Sequence, residues 1–133
     1  IAAITERAMA GELDYAEALR ARVALLRGVP TSAVGELLGT VIVETPGARE
    51  VVAACRAAGV RTVLVSGGFT AFAEPIRQRL GMDAAFANVL LNDGDVFSGA
   101  VADPILGADA KRERMNAECA ALNITPMART CLP

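Results

Sequence analysis

Three consecutive residues, Ser66, Gly67 and Gly68, carry the residue types that most directly suggest chemistry. They follow an apolar run at 62–65, whose β-branched composition is typical of a strand buried in a parallel sheet. Ligands of open α/β sheets bind at the carboxyl ends of such strands. Two glycines let backbone N–H groups approach an anion and the serine hydroxyl adds a donor, so the pattern predicts an anion site. The alternative is a plain tight turn.

Two cationic residues, Lys111 and Arg22, are predicted to lie at positions that are unfavourable for a cation unless an anion is nearby. Lys111 falls in the first turn of a helix predicted to begin at Asp109, where the helix dipole disfavours a cation by about 0.3–1 kcal/mol. The alternative is an exposed lysine paired with Asp109 and Glu113. Arg22 lies on an apolar helical face, where an unpaired buried guanidinium would cost several kcal/mol, unless the side chain reaches water at the rim.

The residue composition excludes or disfavours several other catalytic mechanisms and metal sites. The chain has no histidine, which excludes a Ser-His-Asp mechanism and any metal site with a histidine ligand. Its three cysteines are odd in number and lack CxxC spacing, which argues against a disulfide framework. Asp93 and Asp95 resemble a Mg²⁺-binding pair but flank an Asp-Gly turn, so we interpret them as turn residues. Carboxylates, lysine or backbone amides must carry any chemistry.

Length and charge favour a globular protein that binds a small molecule. The 133 residues are 53% hydrophobic, enough for one core, and the net charge of −2 comes from 13 basic and 15 acidic residues spread along the chain. This spread gives no basic face for nucleic acid, and no apolar run is long enough for a signal peptide or a membrane span. We therefore expect no nucleic-acid or membrane partner and a cytoplasmic location by default.

The hydrophobic pattern divides the chain near residue 42. Residues 1–42 are predicted to form a small helical unit, in which Asp14 and Glu17 make a capping box. Residues 43–133 alternate between strand and helix signals, which is typical of an α/β fold with a parallel sheet and flanking helices. The two units are treated as separate domains in this prediction.

Within residues 43–133 the signals predict a sequence of five elements. They are a helix that opens after Gly47 and ends at Gly59, a helix from Thr70 to Leu80 stopped by Gly81, a hairpin over 88–97 that projects from the core, a helix from Asp109 to about Leu122, and a strand beginning at 130–132. The predicted strand at 62–65 lies between the first two.

Four stretches taken in order, ITERAMAGELDYAEALRARVALLRGVP, TPGAREVVAACRAAGVRTVLVSGGFTAFA, GMDAAFANVLLNDGDVFSG and the Lys111 helix, resemble the phosphoserine phosphatases of the haloacid dehalogenase superfamily. The resemblance spans nearly all 133 residues. It implies a Rossmann-like core with a helical cap. It also implies hydrolysis of O-phosphoserine to serine and phosphate, in serine biosynthesis, through an aspartyl-phosphate and with Mg²⁺.

The resemblance also implies roles for individual residues. Ser66 and Gly67 match the motif that binds the transferring phosphoryl group, and Lys111 matches the catalytic lysine of the third motif. Arg22 matches the cap arginine that holds the substrate carboxylate. Met9 and Tyr15 match cap positions that close over the substrate. Gly68 is included in this predicted substrate site because its backbone N–H is expected to approach the anion.

Two motifs of the family are missing from the sequence. The DxDST strand with the nucleophilic aspartate is expected before Ile1, and the GDGAND motif that completes the Mg²⁺ site is expected after Pro133. The chain thus resembles an internal fragment that lacks the metal ligands and is inactive alone. The alternatives are a non-catalytic phosphate-binding or interaction module, a phosphatase for another phosphomonoester, and a truncated product whose exposed sheet edges lead to self-association.

Overall fold

The computed structural model describes residues 14–107 and 109–124. In this part of the chain nine elements follow one another: α1 (Tyr15–Ala24), α2 (Ala33–Thr40), α3 (Ala48–Ala57), β1 (Val63–Phe69), α4 (Thr70–Leu80), β2 (Ala84–Asn88), β3 (Leu90–Asp93), β4 (Val96–Val101) and α5 (Ala110–Ala121). Two sequence predictions, the role of Met9 and the strand at 130–132, lie outside the described residues.

The centre of the fold is a parallel pair of strands covered by helices. β1 pairs with β2, and α4 connects them and packs on both. α5 packs against β1, and its Arg114 guanidinium lies 3.8 Å from the centroid of the Phe86 ring in β2. This arrangement confirms the predicted α/β class with a parallel sheet and flanking helices.

Local signals located the helix ends correctly. α1 begins with the predicted capping box: the Glu17 N–H donates to Asp14 Oδ1 at 2.7 Å, and the Asp14 N–H donates to Glu17 Oε2 at 3.0 Å. α4 spans the predicted residues and ends at Gly81, whose φ of 74° is the left-handed conformation that glycine favours. α3 opens after Gly47 and is followed by Gly59 at φ 69°, as predicted.

The prediction for residues 84–93 was wrong in one respect, because it placed Asn88 in a hairpin strand. Residues Ala84–Asn88 form β2, a parallel strand that the sequence reasoning missed, and the hairpin begins only at Leu90. Three of the five residues in β2 are alanine and none is β-branched, so local propensity gives little strand signal. Pairing with β1 supplies what propensity lacks.

The hairpin of β3 and β4 forms as predicted around the Asp-Gly turn, where Gly94 has a φ of 62°. It does not project from the core, which corrects the prediction. Segment 28–31 lies along β4: the Gly28 N–H donates to the Phe97 carbonyl at 2.9 Å, and the Thr31 N–H donates to the Asp95 carbonyl at 2.8 Å. The carboxyl end of α1 is therefore fastened to the hairpin.

A small apolar cluster lies between α1, the hairpin and the end of β1. Its buried members are Leu19, Val23 and Val101, and the partly buried Phe69, Leu90 and Ile105 pack against them. The predicted apolar face of α1 thus meets the hairpin. None of the helices in the described ranges is long and apolar enough to cross a membrane.

The predicted division after residue 42 falls between α2 and α3. Because α1 packs on β4, the helical unit and the α/β unit share the apolar cluster. The division into two domains stays a prediction.

Candidate functional site

Ser66, Gly67 and Gly68 form the second half of β1 rather than a turn after it. Val65 pairs with Phe86, and the next pairing joins Phe69 to Asn88. Three residues of β1, 66–68, therefore lie opposite a single residue of β2, Ala87. The glycines with positive φ lie elsewhere in the described chain. The predicted glycine turn was therefore wrong: the strand continues through an irregular bulge, which leaves backbone groups free for partners outside the ladder.

Tyr15 lies so close to Gly67 that there is no room for a side chain at this position. The Tyr15 hydroxyl, from the first residue of α1, donates to the Gly67 carbonyl at 3.0 Å. A Cβ added at Gly67 would lie 2.7 Å from Tyr15 Oη, closer than any ordinary contact. The close approach expected at this glycine is thus made, within the described chain, by the phenol of Tyr15.

The Ser66 hydroxyl is oriented by the backbone two residues later. The Gly68 N–H donates to Ser66 Oγ at 3.0 Å, so the predicted free amide of Gly68 is already engaged. Since the oxygen of Ser66 accepts this bond, its own O–H remains available to donate to an anion. Gly68 thus orients the serine, and its own part in binding the substrate stays a prediction.

Lys111 lies in the first turn of α5, as predicted, but Asp109 does not cap that helix. The Asp109 side chain makes no capping hydrogen bond and instead pairs with Arg112 at 2.9 Å. Among the ion pairs between described residues, none includes Lys111. Lys111 is exposed, as the alternative interpretation expected, but neither Asp109 nor Glu113 forms an ion pair with it within the described part of the chain.

An open cavity of ≈ 330 Å³ brings four of the predicted site residues together. It is lined by Tyr15, Val65, Ser66, Gly67, Gly107, Ala110 and Lys111. Lys111 is the only charged residue among these described lining residues, and the amino terminus of α5 opens beside it. A hydroxyl donor, a cation and the positive end of a helix dipole together suit a small anion.

Arg22 and Gly68 are not among the described residues that line this cavity. Arg22 is half-buried and its Nε donates to the Ala18 carbonyl at 3.2 Å. It lies seven residues after Tyr15, about 10 Å further along α1. Met9 lies outside the described residues, and Gly68 contributes through Ser66.

Asn88 is the polar residue of the site that sequence reasoning missed. It is 2% exposed, its Nδ2 donates to the Gly67 carbonyl at 2.9 Å, and its Oδ1 accepts from the Leu106 N–H at 2.8 Å. Had β2 been recognised, an asparagine at the carboxyl end of a strand beside β1 would have indicated it.

The described residues do not provide a ligand set for Mg²⁺. Across residues 14–107 and 109–124 no group of three His, Cys, Asp or Glu side chains is close enough to hold a metal ion. The Mg²⁺ ion that the resemblance implies therefore has no such group of ligands among these residues.

Asp83 is a carboxylate that holds the start of β1, at the end of the strand opposite to the cavity. Asp83 Oδ2 accepts from the Thr62 N–H at 2.7 Å and from the Thr62 hydroxyl at 3.0 Å. The backbone hydrogen bond from Thr62, followed by its hydroxyl, lowers the pKa of Asp83 below its ordinary value. Asp83 thus fixes the start of the strand whose far end forms the cavity.

Comparison with known proteins gives relatives that are similar along nearly the whole chain. The chain is 45% identical over 131 residues to a phosphoserine phosphatase of Albidiferax ferrireducens, covering 95% of this chain and 55% of that protein. It is 43% identical to a phosphoserine phosphatase of Idiomarina loihiensis, covering 95% and 57%. The chain thus spans about half the length of the curated relatives it matches.

Solved structures agree with the fold. A probable phosphoserine phosphatase from Vibrio cholerae matches with a TM-score of 0.87 at 31% identity, covering 93% of this chain and 38% of that one. A substrate-bound phosphoserine phosphatase complex matches with a TM-score of 0.79 at 34% identity, covering 92% and 58%. The family model for haloacid dehalogenase-like hydrolases matches residues 2–130. By sequence and by fold, the chain belongs to the haloacid dehalogenase-like hydrolases.

Proposed function

We propose that this chain is part of a phosphoserine phosphatase and supplies the phosphate-binding half of its site. The cavity that gathers Ser66, Gly67 and Lys111 beneath Tyr15 is the observation that carries the proposal. Relatives named phosphoserine phosphatase, at 43–45% identity, support the substrate class. The reaction is hydrolysis of O-phosphoserine to serine and phosphate in the complete gene product.

The described residues have a defined part in that reaction. The Ser66 O–H donates to a phosphate oxygen, while Lys111 and the amino terminus of α5 offset the charge of the phosphoryl group. Tyr15 covers the cavity from α1. The cavity lining contains no carboxylate in the described ranges, so these residues bind and stabilise the phosphoryl group and leave its attack to residues elsewhere.

Three further assignments belong to the same proposal. Arg22 holds the carboxylate of the substrate, Met9 closes over it, and residues 1–42 act as the cap on an α/β core at 43–133. The resemblance of the α1 segment to the cap of phosphoserine phosphatases supports them. The Arg22 role requires its guanidinium to leave the Ala18 carbonyl and turn toward the cavity. Mg²⁺ is the expected cofactor of the complete protein.

The test measures phosphate release from O-phosphoserine by the complete gene product, with Mg²⁺ added. Lys111→Met should lower kcat/KM by at least about tenfold, because a cation beside the phosphoryl group is lost. Arg112→Met is the matched control, since Arg112 is the next cation along α5 and is already paired with Asp109. Release from other phosphomonoesters but none from O-phosphoserine would overturn the substrate assignment, and equal activity of the two variants would overturn the role of Lys111.

A further inference from the structure

Asn88 connects two segments that line the cavity, but its own side chain is not part of the lining. Its side chain ends at the junction of β2 with the irregular part of β1, and the residue is 2% exposed. Its Nδ2 donates to the Gly67 carbonyl at 2.9 Å, and its Oδ1 accepts from the Leu106 N–H at 2.8 Å. Both ends of a buried carboxamide are therefore used, each on the main chain.

The bulge in β1 explains why a side chain of β2 is needed as the hydrogen-bond donor to the Gly67 carbonyl. Gly67 lies between Val65 and Phe69, where the regular pairing of β1 with β2 is interrupted. The Gly67 carbonyl accepts from Asn88 and from Tyr15, which fills both of its lone pairs. Asn88 thus supplies from β2 a hydrogen bond that the interrupted ladder does not. It fixes the orientation of the Gly67–Gly68 peptide, whose N–H donates to Ser66 Oγ.

The second bond of Asn88 reaches the segment that leads to Lys111. Leu106 precedes Gly107, which lines the cavity, and α5 begins three residues after Gly107. One rigid side chain therefore spans from the serine side of the cavity to the lysine side. These two hydrogen bonds connect the two sides of the cavity, in addition to the packing of α5 on β1.

We propose that Asn88 is a positioning residue of the anion site, which holds the Ser66 and Lys111 donors at the separation that a phosphate group requires. The inference rests on the proposed function, because it takes the ligand to be a phosphate or phosphomonoester. Asn88 acts through Gly67 and Leu106 and does not touch the ligand. Its loss should weaken phosphate binding while the fold persists.

The test titrates inorganic phosphate into the ¹⁵N-labelled chain and follows the amide resonances of Gly67 and Lys111. Asn88→Leu keeps the shape and zero charge of the side chain but removes both hydrogen bonds. We expect phosphate affinity to fall about tenfold, the lower end of what the loss of an outer partner costs at metal sites. Circular dichroism at the same temperature establishes that each variant is folded.

Asn92 provides a matched control. Its Nδ2 also donates to a backbone carbonyl, that of Gly94 at 3.0 Å, but it lies in the exposed hairpin. Asn92→Leu should leave phosphate affinity unchanged. If Asn88→Leu does not fold, Asn88→Thr replaces it, because a β-branched residue suits a strand and its hydroxyl reaches one of the two partners only. We then expect a loss of about threefold or more, compared with Asn92→Thr.

Each outcome decides between the two claims. Wild-type affinity in the folded Asn88 variants overturns the positioning role, and so does an equal loss in the Asn92 variants. If phosphate leaves the resonances of Gly67 and Lys111 unmoved in the wild type, the anion site and the positioning role both fail. If phosphate binds and binding depends on Asn88 but the complete gene product does not hydrolyse O-phosphoserine, the proposed function alone fails.

Discussion

The contact between Tyr15 and Gly67 can be measured as a coupling energy. In Gly67→Ala, the new methyl group would lie 2.7 Å from Tyr15 Oη, so the phenol must move and its 3.0 Å hydrogen bond to the Gly67 carbonyl is lost. That loss costs about 0.5–1.5 kcal/mol of unfolding free energy. Because β1 is extended at this residue, alanine also lowers the entropy of the unfolded chain, which stabilises the protein by about 0.4–1 kcal/mol.

The two effects nearly cancel in the wild-type background but separate when Tyr15 is changed first. In Tyr15→Phe the hydroxyl is absent, and the next atom of the ring, Tyr15 Cζ, lies at 3.8 Å, an ordinary contact for the new methyl group. Gly67→Ala should then stabilise the protein by about 0.4–1 kcal/mol. The difference between the two backgrounds, about 0.5–1.5 kcal/mol, is the predicted coupling energy.

Urea unfolding followed by far-ultraviolet circular dichroism gives the four free energies of this cycle, since the chain has no tryptophan for fluorescence. Gly68→Ala is the control, because its methyl group would meet Ser66 Oγ at 3.2 Å and not Tyr15. It should show no coupling to Tyr15→Phe. Additivity of Gly67→Ala and Tyr15→Phe to within about 0.3 kcal/mol would refute the contact.

Three further perturbations test other parts of the fold. Gly99→Ala should cost at least about 1–3 kcal/mol of unfolding free energy, because Gly99 has a φ of 80° and its methyl group would lie 2.9 Å from Arg27 Cβ and 3.2 Å from the carbonyl oxygen of Ala24, the last residue of α1. Gly35→Ala, in α2 with open space around it, should instead stabilise the protein by about 0.5–1 kcal/mol. Chemical unfolding compares the two variants, and equal effects would contradict the packing of α1 on β4. Asp14→Ala should cost about 0.5–2 kcal/mol by removing the cap of α1, measured the same way, and a change below about 0.3 kcal/mol would be inconsistent with the capping box. Asp83→Asn should lower the melting temperature at neutral pH, where the Asp83 carboxylate is charged and accepts from Thr62. Because the folded-state pKa of Asp83 is depressed, the difference in melting temperature from wild type should shrink as pH falls through and below the ordinary value of 3.8. A difference that does not change with pH would show that the charge of Asp83 is irrelevant to its bonds with Thr62.

Helix boundaries could be predicted from the sequence because local chemistry decides them. Gly81 adopts the left-handed conformation that ends α4, and Asp14 with Glu17 satisfies the free N–H groups at the start of α1. Both signals act within one turn of the helix, so no distant residue needs to be known. The same holds for the Asp-Gly turn of the hairpin.

Features that depend on distant partners were missed. β2 is a strand because β1 lies beside it, and its alanines give no strand signal of their own. The glycines after Ser66 suggested a turn, but Gly67 is small because Tyr15, 52 residues earlier, lies over it. The packing of the hairpin on α1 likewise depends on a pairing of segment 28–31 with β4.

The residues of the candidate site were predicted more fully than their geometry. Ser66 and Lys111 were singled out by residue type and position, and they do line one cavity together with Gly67 and Tyr15. Asn88 was overlooked, since its importance arises only when β1 and β2 are adjacent. A sequence pattern can indicate which donors face a ligand, but the side chains behind them are identified through tertiary contacts.

α1 extends from the hairpin to the cavity. Its carboxyl end is fastened to β4 by the backbone bonds of segment 28–31, while Tyr15 at the other end holds Gly67 through a single hydrogen bond. The ten residues of α1 give a lever arm of about 15 Å. A pivot of about 10° around the fastened end moves the phenol by about 2–3 Å, which is enough to break that bond. A change of this size in the angle of α1 would therefore change how far the phenol of Tyr15 covers the cavity.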